Sequence, residues 1–283
     1  MKADRSAAER RKLADAVLGP ALEAARLVMR VYSTPFDVEY KAEDDPVTRA
    51  DRESNALLCE RLSRIAPGIP IVAEESDPSD YAGFTQHDAA WFVDPLDGTR
   101  EFVERNGEFA VMIGLAEHGR ATLGVIVAPA WDRAFVGVVG DGAYEVAPTG
   151  SRTPIHVAPR TTIAGASMLV SRSRTQGRIP GLISATGVRE AIRHGSSGLK
   201  GALVATGEHD IYVQPGRAGM RWDACATEAL VRAAGGECTD EEGKPFEYTS
   251  GDLVNRRGLV ATNGTVHSLV LEAMRREAER RSH

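Results

Sequence analysis

The chain has 283 residues, 42% hydrophobic and 26% charged, enough to bury a sizeable core as one large domain or two packed subdomains. Its net charge of −6 is the wrong sign for binding duplex nucleic acid, and no apolar run approaches the roughly 20 residues of a membrane helix. Cys59, Cys225 and Cys238 form no CxxC pair, which argues against a disulfide framework or zinc knuckle; with no signal-peptide pattern at the charged start, the expected location is a reducing cytoplasm.

Ser6-Ala7-Ala8-Glu9 has capping-box spacing, and Leu13, Val17, Ala21, Ala25 and Val28 then recur at helical spacing. Gly19-Pro20 is expected to kink or split this helix. A second amphipathic helix follows Thr48, with Leu57, Leu58, Leu62 and Ile65 on one face, and Pro67-Gly68 ends it. Residues 69–73 form an apolar run that stops at Glu74-Glu75, and Trp91-Phe92-Val93 another that stops at Asp94. Residues 109–116 and 121–127 flank His118-Gly119-Arg120 as a predicted hairpin, continued as a meander by 134–139 and 143–146. Consecutive apolar positions in these strands imply burial on both faces beneath helices.

The second half alternates predicted strands (168–171, 188–193 and 210–213) with predicted helices (198–206, 224–234 and 265–280). Pro148-Thr149-Gly150-Ser151 is the expected seam between subdomains 1–150 and 151–283 of a single catalytic domain. The fold class that follows is α+β, with layered helices and sheets.

The strongest local signal is Asp94-Pro95-Leu96-Asp97-Gly98-Thr99, where an apolar strand runs into two carboxylates, then Gly, then Thr. A tight turn there brings both carboxylates and the Leu96 carbonyl toward one point, an array of oxygens that hard cations favour. The Gly98 and Thr99 amides at the start of a short helix over 99–104 suit a phosphate. Taken alone, the motif is also a plain strand–turn–helix with Asp97 or Thr99 as its cap. Glu74-Glu75 at a strand end is either a solvated loop or a cation site. Asp51 is either a first-turn residue behind the Thr48 cap or a general base for an attacking water. Asp223, in Trp222-Asp223, is either an N-cap or a metal ligand. The seven histidines show no ligand spacing; His194, beside the Gly195 turn, reads as structural, and Trp91, like Phe92, as core.

In that order, Asp51, Glu74-Glu75, Asp94-Pro95-Leu96-Asp97-Gly98-Thr99 and Trp222-Asp223 resemble the signature of the lithium-sensitive, Mg²⁺-dependent inositol monophosphatase superfamily, over about residues 45–236. Residues 94–110, DPLDGTREFVERNGEFA, together with Val170-Ser171-Arg172-Ser173-Arg174 and Gly195-Ser196-Ser197 with Lys200, most resemble its bacterial 3′(2′),5′-bisphosphate nucleotidases. The resemblance implies an αβαβα sandwich of the sugar-phosphatase type. It also implies release of the 3′-phosphate of adenosine 3′,5′-bisphosphate, giving AMP and recycling a by-product of sulfate assimilation.

On this resemblance Glu74, Asp94, the Leu96 carbonyl, Asp97 and Asp223 hold two or three Mg²⁺ ions. Asp51 and Thr99, with Glu74, orient and deprotonate the water, and the Gly98 and Thr99 amides hold the scissile phosphate. Arg172, Ser196, Ser197, Lys200 and Asp223 face the substrate. Without the resemblance, the Ser-Arg-Ser-Arg stretch reads as a solvated loop and Gly195-Ser196-Ser197 equally as a helix start. Carboxylates without a His or Cys cluster favour Mg²⁺ over zinc. The expected partner is a small phosphorylated metabolite, in a chain that is a possible homodimer. The competing readings are an inositol or other sugar monophosphatase, and a binding protein that kept the fold.

Overall fold

The computed structural model describes residues 5–42, 45–172 and 178–281. Ser6 accepts the Glu9 N–H while the Glu9 carboxylate accepts the Ser6 N–H, so helix α1 (Ala7–Tyr32) begins on the predicted capping box. The expected split at Gly19-Pro20 does not occur. The proline forfeits one helical hydrogen bond, but Val17, Leu18, Ala21, Ala24 and Val28 around it are buried, and their packing carries the helix through. A hairpin of β1 (Val38–Ala42) and β2 (Asp45–Thr48) leads into α2 (Arg49–Ile65). Thr48 caps α2, with Leu58 and Leu62 fully buried beneath it.

Seven strands make the first sheet, adjacent in chain order: β3 (Ile71–Ala73), β4 (Ala89–Asp97), β5 (Ala110–Glu117), β6 (Arg120–Ala128), β7 (Arg133–Val138), β8 (Gly142–Val146) and β9 (Arg152–Ile155). β3 is parallel to β4 and every other pair is antiparallel. A short helix, α3 (Thr99–Val103), joins β4 to β5. The expected seam at 148–151 lies inside the β8–β9 hairpin, closed by the Ala147 N–H on the Ser151 carbonyl. Pro, Thr, Gly and Ser suit a tight turn as well as a linker, so composition could not separate the two. The chain crosses to the second sheet after Ile155.

The second half adds β10 (Ser167–Ser171), α4 (Ile179–Thr186), β11 (Glu190–His194), α5 (Ser197–Ala205), β12 (Ile211–Gln214), α6 (Arg221–Ala233), β13 (Glu237–Thr239), β14 (Leu259–Thr262) and α7 (His267–Arg281). Its sheet runs β11-β10-β12-β14-β13, parallel around β10 and antiparallel around β14. α1 and α2 cover one face of the first sheet. α5 and α6 lie between the sheets, and α4 and α7 cover the far side of the second, giving five alternating layers. Both sheets are therefore covered on both faces, which is why their strands are apolar at consecutive positions. Among the described residues, no helix is long and apolar enough to cross a membrane.

One packing detail sets the depth of α6. Gly114, Gly124 and Gly137 stand side by side on β5, β6 and β7. A Cβ on Gly114 would lie 2.7 Å from the Ala226 nitrogen, one on Gly137 2.6 Å from Leu230 Cα, and one on Gly124 closer still to the Ala226 carbonyl. The helix rests directly on sheet backbone, and Asp223 in its first turn is held at that depth.

Candidate active site

The site grows from the end of β4. Asp94 pairs with Met112 and Asp97 with Ala110, so three steps on β4 face two on β5 and the strand bulges. Pro95 suits such a place because it has no ladder N–H to lose. Asp94 Oδ1 accepts the Leu96 N–H at 3.0 Å, and Ser54 Oγ on α2 donates to the Pro95 carbonyl at 2.9 Å. Gly98 then turns the chain at φ +95°, where a Cβ would lie 2.8 Å from the Glu108 carbonyl oxygen. Thr99 opens α3.

This turn brings the Asp94 and Asp97 carboxylates together with that of Asp223, their oxygens within 4.8 Å of one another. Asp94 is fully enclosed, and burial, reinforced by Glu74, Asp97 and Asp223, pushes its carboxyl well above the usual range. Glu74 follows β3; its N–H donates to the Val93 carbonyl at 3.1 Å, which sets it beside the end of β4. Burial and the Asp223 charge push it up to about 8. Glu74 lines the same cavity, outside the tight triad.

Asp51 sits one step behind the wall. Its Oδ2 accepts the Thr48 N–H and hydroxyl at 2.7 Å each, so it completes the capping box of α2. Its Oδ1 lies 2.8 Å from Thr99 Oγ1, itself 3.1 Å from the Leu96 carbonyl. Burial raises Asp51 to about 6, against the opposing pull of those hydrogen bonds. Asp51 thus occupies the first-turn capping position expected of it, and its other carboxylate oxygen faces Thr99. Asp223 likewise stands in the first turn of α6, where Oδ2 accepts the Met220 N–H at 2.7 Å.

The cavity has a volume of about 280 Å³, and Leu96, Gly98, Thr99, Ser196, Ser197 and Lys200 line it with the acidic residues. Ser196 Oγ and the Gly198 N–H both donate to Asp97 Oδ2, at 2.5 and 2.7 Å, so Ser196 serves a carboxylate before any substrate. Ser197 Oγ donates to the Asp223 carbonyl at 2.9 Å. Lys200 is 2% exposed, and its Nζ donates to the carbonyls of His194, Gly195 and Ser196. It ties down a loop, which is not the free point charge expected for a substrate. Arg172 lies outside the cavity wall, in a two-pronged pair with Glu108, which displaces it from the expected phosphate clamp. Ser173 and Arg174 lie outside the described residues. His194 is structural as expected, with Nδ1 2.8 Å from the Gly195 carbonyl and its ring edge-on to Trp131. Trp91 is fully buried core.

Several residues at the site escape sequence reading. Lys41 on β1 reaches Glu75 at 2.6 Å and Glu74 at 3.4 Å. It sits in the charged stretch YKAEDDP, which looks like a solvated loop. Tyr212 and Gln214 also line the cavity, and nothing in their spacing marks them; Glu101, 4% exposed, lines it too and falls in the 94–110 stretch that carried the resemblance.

A cluster in which burial and neighbouring carboxylates raise the proton affinity of Asp94 and Glu74 is relieved by a cation. The donors here are all oxygen, with no imidazole or thiolate among the triad, which fits Mg²⁺. Fold and site together define a layered phosphatase. The inositol monophosphatase family model matches residues 9–279, and this chain belongs to that family, which is Mg²⁺-dependent in general. The chain is 35% identical to the 3′(2′),5′-bisphosphate nucleotidase CysQ of Escherichia coli strain K12 and 36% identical to that of Shigella flexneri. Each match covers 83% of this chain and 93% of the relative. Among solved structures, the extragenic suppressor protein suhB of Bartonella henselae matches with a TM-score of 0.79 and 26% identity, over 92% of this chain and 97% of that one. CysQ of Bacteroides thetaiotaomicron matches with a TM-score of 0.74 and 30% identity, over 88% and 97%.

Proposed function

We propose that this chain is a Mg²⁺-dependent 3′(2′),5′-bisphosphate nucleotidase, which removes the 3′-phosphate of adenosine 3′,5′-bisphosphate to give AMP and phosphate. The observation that carries the reading is the convergence of Asp94, Asp97 and Asp223 beside the Asp51–Thr99 pair at one cavity. The likeness to CysQ nucleotidases directs it toward a nucleotide. Because residues from both halves meet there, we read the whole chain as one catalytic domain.

Asp94, Asp97, Asp223, Glu74 and the Leu96 carbonyl would hold two or three ions. Bound Mg²⁺ supplies the positive charge that the phosphate oxygens and the leaving ribose oxygen require. Ionised Asp51 draws the Thr99 proton toward itself, which turns a lone pair of Thr99 Oγ1 to a water in the cavity. As that water attacks phosphorus, its proton passes to Thr99 while the Thr99 proton passes to Asp51. The new bond joins water oxygen to phosphorus, the bond from phosphorus to the ribose oxygen breaks, and that oxygen takes a proton from solvent. Gly98, Thr99, Gly195, Ser197 and Tyr212 all line the cavity; in this reading the Gly98 and Thr99 amides would receive the phosphate, and Gly195, Ser197 and Tyr212 would be left to the nucleoside.

The second reading, an inositol or other sugar monophosphatase, draws on the structural match to an inositol monophosphatase of Thermotoga maritima, 27% identical with a TM-score of 0.77 over 94% of this chain and 98% of that one. Phosphate release from adenosine 3′,5′-bisphosphate and from inositol 1-phosphate separates the two. A higher kcat/KM for the nucleotide supports the proposal, and a clear preference for the inositol ester rejects it.

A further inference from the structure

Glu108 does not line the cavity, yet it grips the loop that does. Its carboxylate receives Arg172 Nε and Nη2 at 3.0 and 2.5 Å and the Gly195 N–H at 2.7 Å. Arg172 Nη2 also donates to the Arg193 carbonyl at 3.1 Å, so the pair spans from the β5 approach to the ends of β10 and β11. Gly195 has no room for a side chain: a Cβ would lie 2.8 Å from the Glu108 carbonyl and run into Glu101. The next residue, Ser196, holds φ +52°, a conformation seldom occupied outside glycine. Such a residue persists only where its surroundings over-determine it. Here Glu108 fixes the amide on one side, and Lys200 fixes the carbonyls of residues 194–196. The result is that Ser196 Oγ reaches Asp97 Oδ2 at 2.5 Å, beside the Gly198 N–H. One oxygen of Asp97 is occupied by these donors.

We infer that Glu108, clamped by Arg172, is a positioning residue that orients Asp97 through Gly195 and Ser196, and so sets the Mg²⁺ affinity of the site. The inference rests on Asp97 being a metal ligand, as in the proposed function. Groups that orient a ligand are typically worth about 10–100-fold in metal affinity.

The test is calorimetric titration of MgCl₂ into the full EDTA-treated chain, with thermal unfolding to confirm that each variant is folded. Ser196→Gly keeps the positive-φ backbone and removes the side chain, with its bonds to Asp97 and to the Leu199 N–H that it caps at the start of α5. It and Glu108→Ala should each weaken binding about 10-fold. Glu108→Gln, whose amide oxygen still accepts the Gly195 N–H, should weaken it about threefold. Because both residues act along one chain of contacts, the double variant Glu108→Ala/Ser196→Gly should bind about as well as the weaker single. Folded Glu108→Ala with wild-type affinity, or single effects that multiply in the double variant, would overturn the inference while leaving the metal site intact. If Glu108→Ala does not fold, wild-type affinity in Glu108→Gln overturns it. A wild-type chain that binds no Mg²⁺ removes the metal site itself, and the inference with it.

Discussion

Thr99 Oγ1 lies 2.8 Å from Asp51 Oδ1, although 48 positions separate the two in sequence. The contact joins the first turn of α2 to the first turn of α3 across the end of β4. The hydroxyl has the carboxylate as its nearer acceptor, with the Leu96 carbonyl at 3.1 Å, and in the proposed mechanism the carboxylate takes its proton. Thr99→Ala and Asp51→Asn should each lower kcat by about 10²–10⁴ with little change in KM, the range for removing a general base. Steady-state kinetics on the folded variants checks this; a KM effect alone would place the pair in binding.

The raised carboxyls make stability depend on pH and metal together. Asp51 at about 6 and Glu74 at about 8 stand above their ordinary 3.8 and 4.5. The folded chain therefore holds these protons more tightly than the unfolded chain. Metal-free protein should lose stability as pH rises from about 4 to about 8. Mg²⁺ competes with those protons, so its protection should be larger at pH 8 than at pH 5. Thermal unfolding in EDTA and in MgCl₂ at both values measures it, and an equal shift at the two would contradict the reading.

Gly124→Ala should be strongly destabilising, by about 1–3 kcal/mol or more, because its Cβ would enter the Ala226 carbonyl of α6. Lifting α6 also moves Asp223, so Mg²⁺ affinity should fall with stability. Denaturant unfolding and calorimetric Mg²⁺ titration of the variant test the two effects.

The sequence reading found the elements whose signals are local. The strand end at Glu74, the caps at Ser6 and Thr48, and the hairpin at His118-Gly119 follow from periodicity and turn chemistry, whereas β4 runs past the expected stop at Asp94 to Asp97. The acidic triad became legible only when motifs far apart in sequence were read together. What remained hidden depends on tertiary partners. Pro20 survives inside a helix because the apolar residues of α1 on either side of it are buried against other elements, and 148–151 is a turn because β9 has a strand to pair with. Lys200 and Arg172 carry the right charge for an anionic substrate, but the structure turns them to carbonyls and to Glu108. Charge is visible in a sequence, whereas its partner across 64 residues is not.

The most direct measurement is phosphate release from adenosine 3′,5′-bisphosphate while MgCl₂ is titrated into EDTA-treated protein, beside the Asp97→Asn variant. Saturable activation of the wild-type chain is expected, with the variant folded but slower by orders of magnitude at every Mg²⁺ concentration. Turnover that ignores Mg²⁺, or an Asp97→Asn enzyme as fast as wild type, would contradict the assignment of these converging carboxylates as the catalytic metal site.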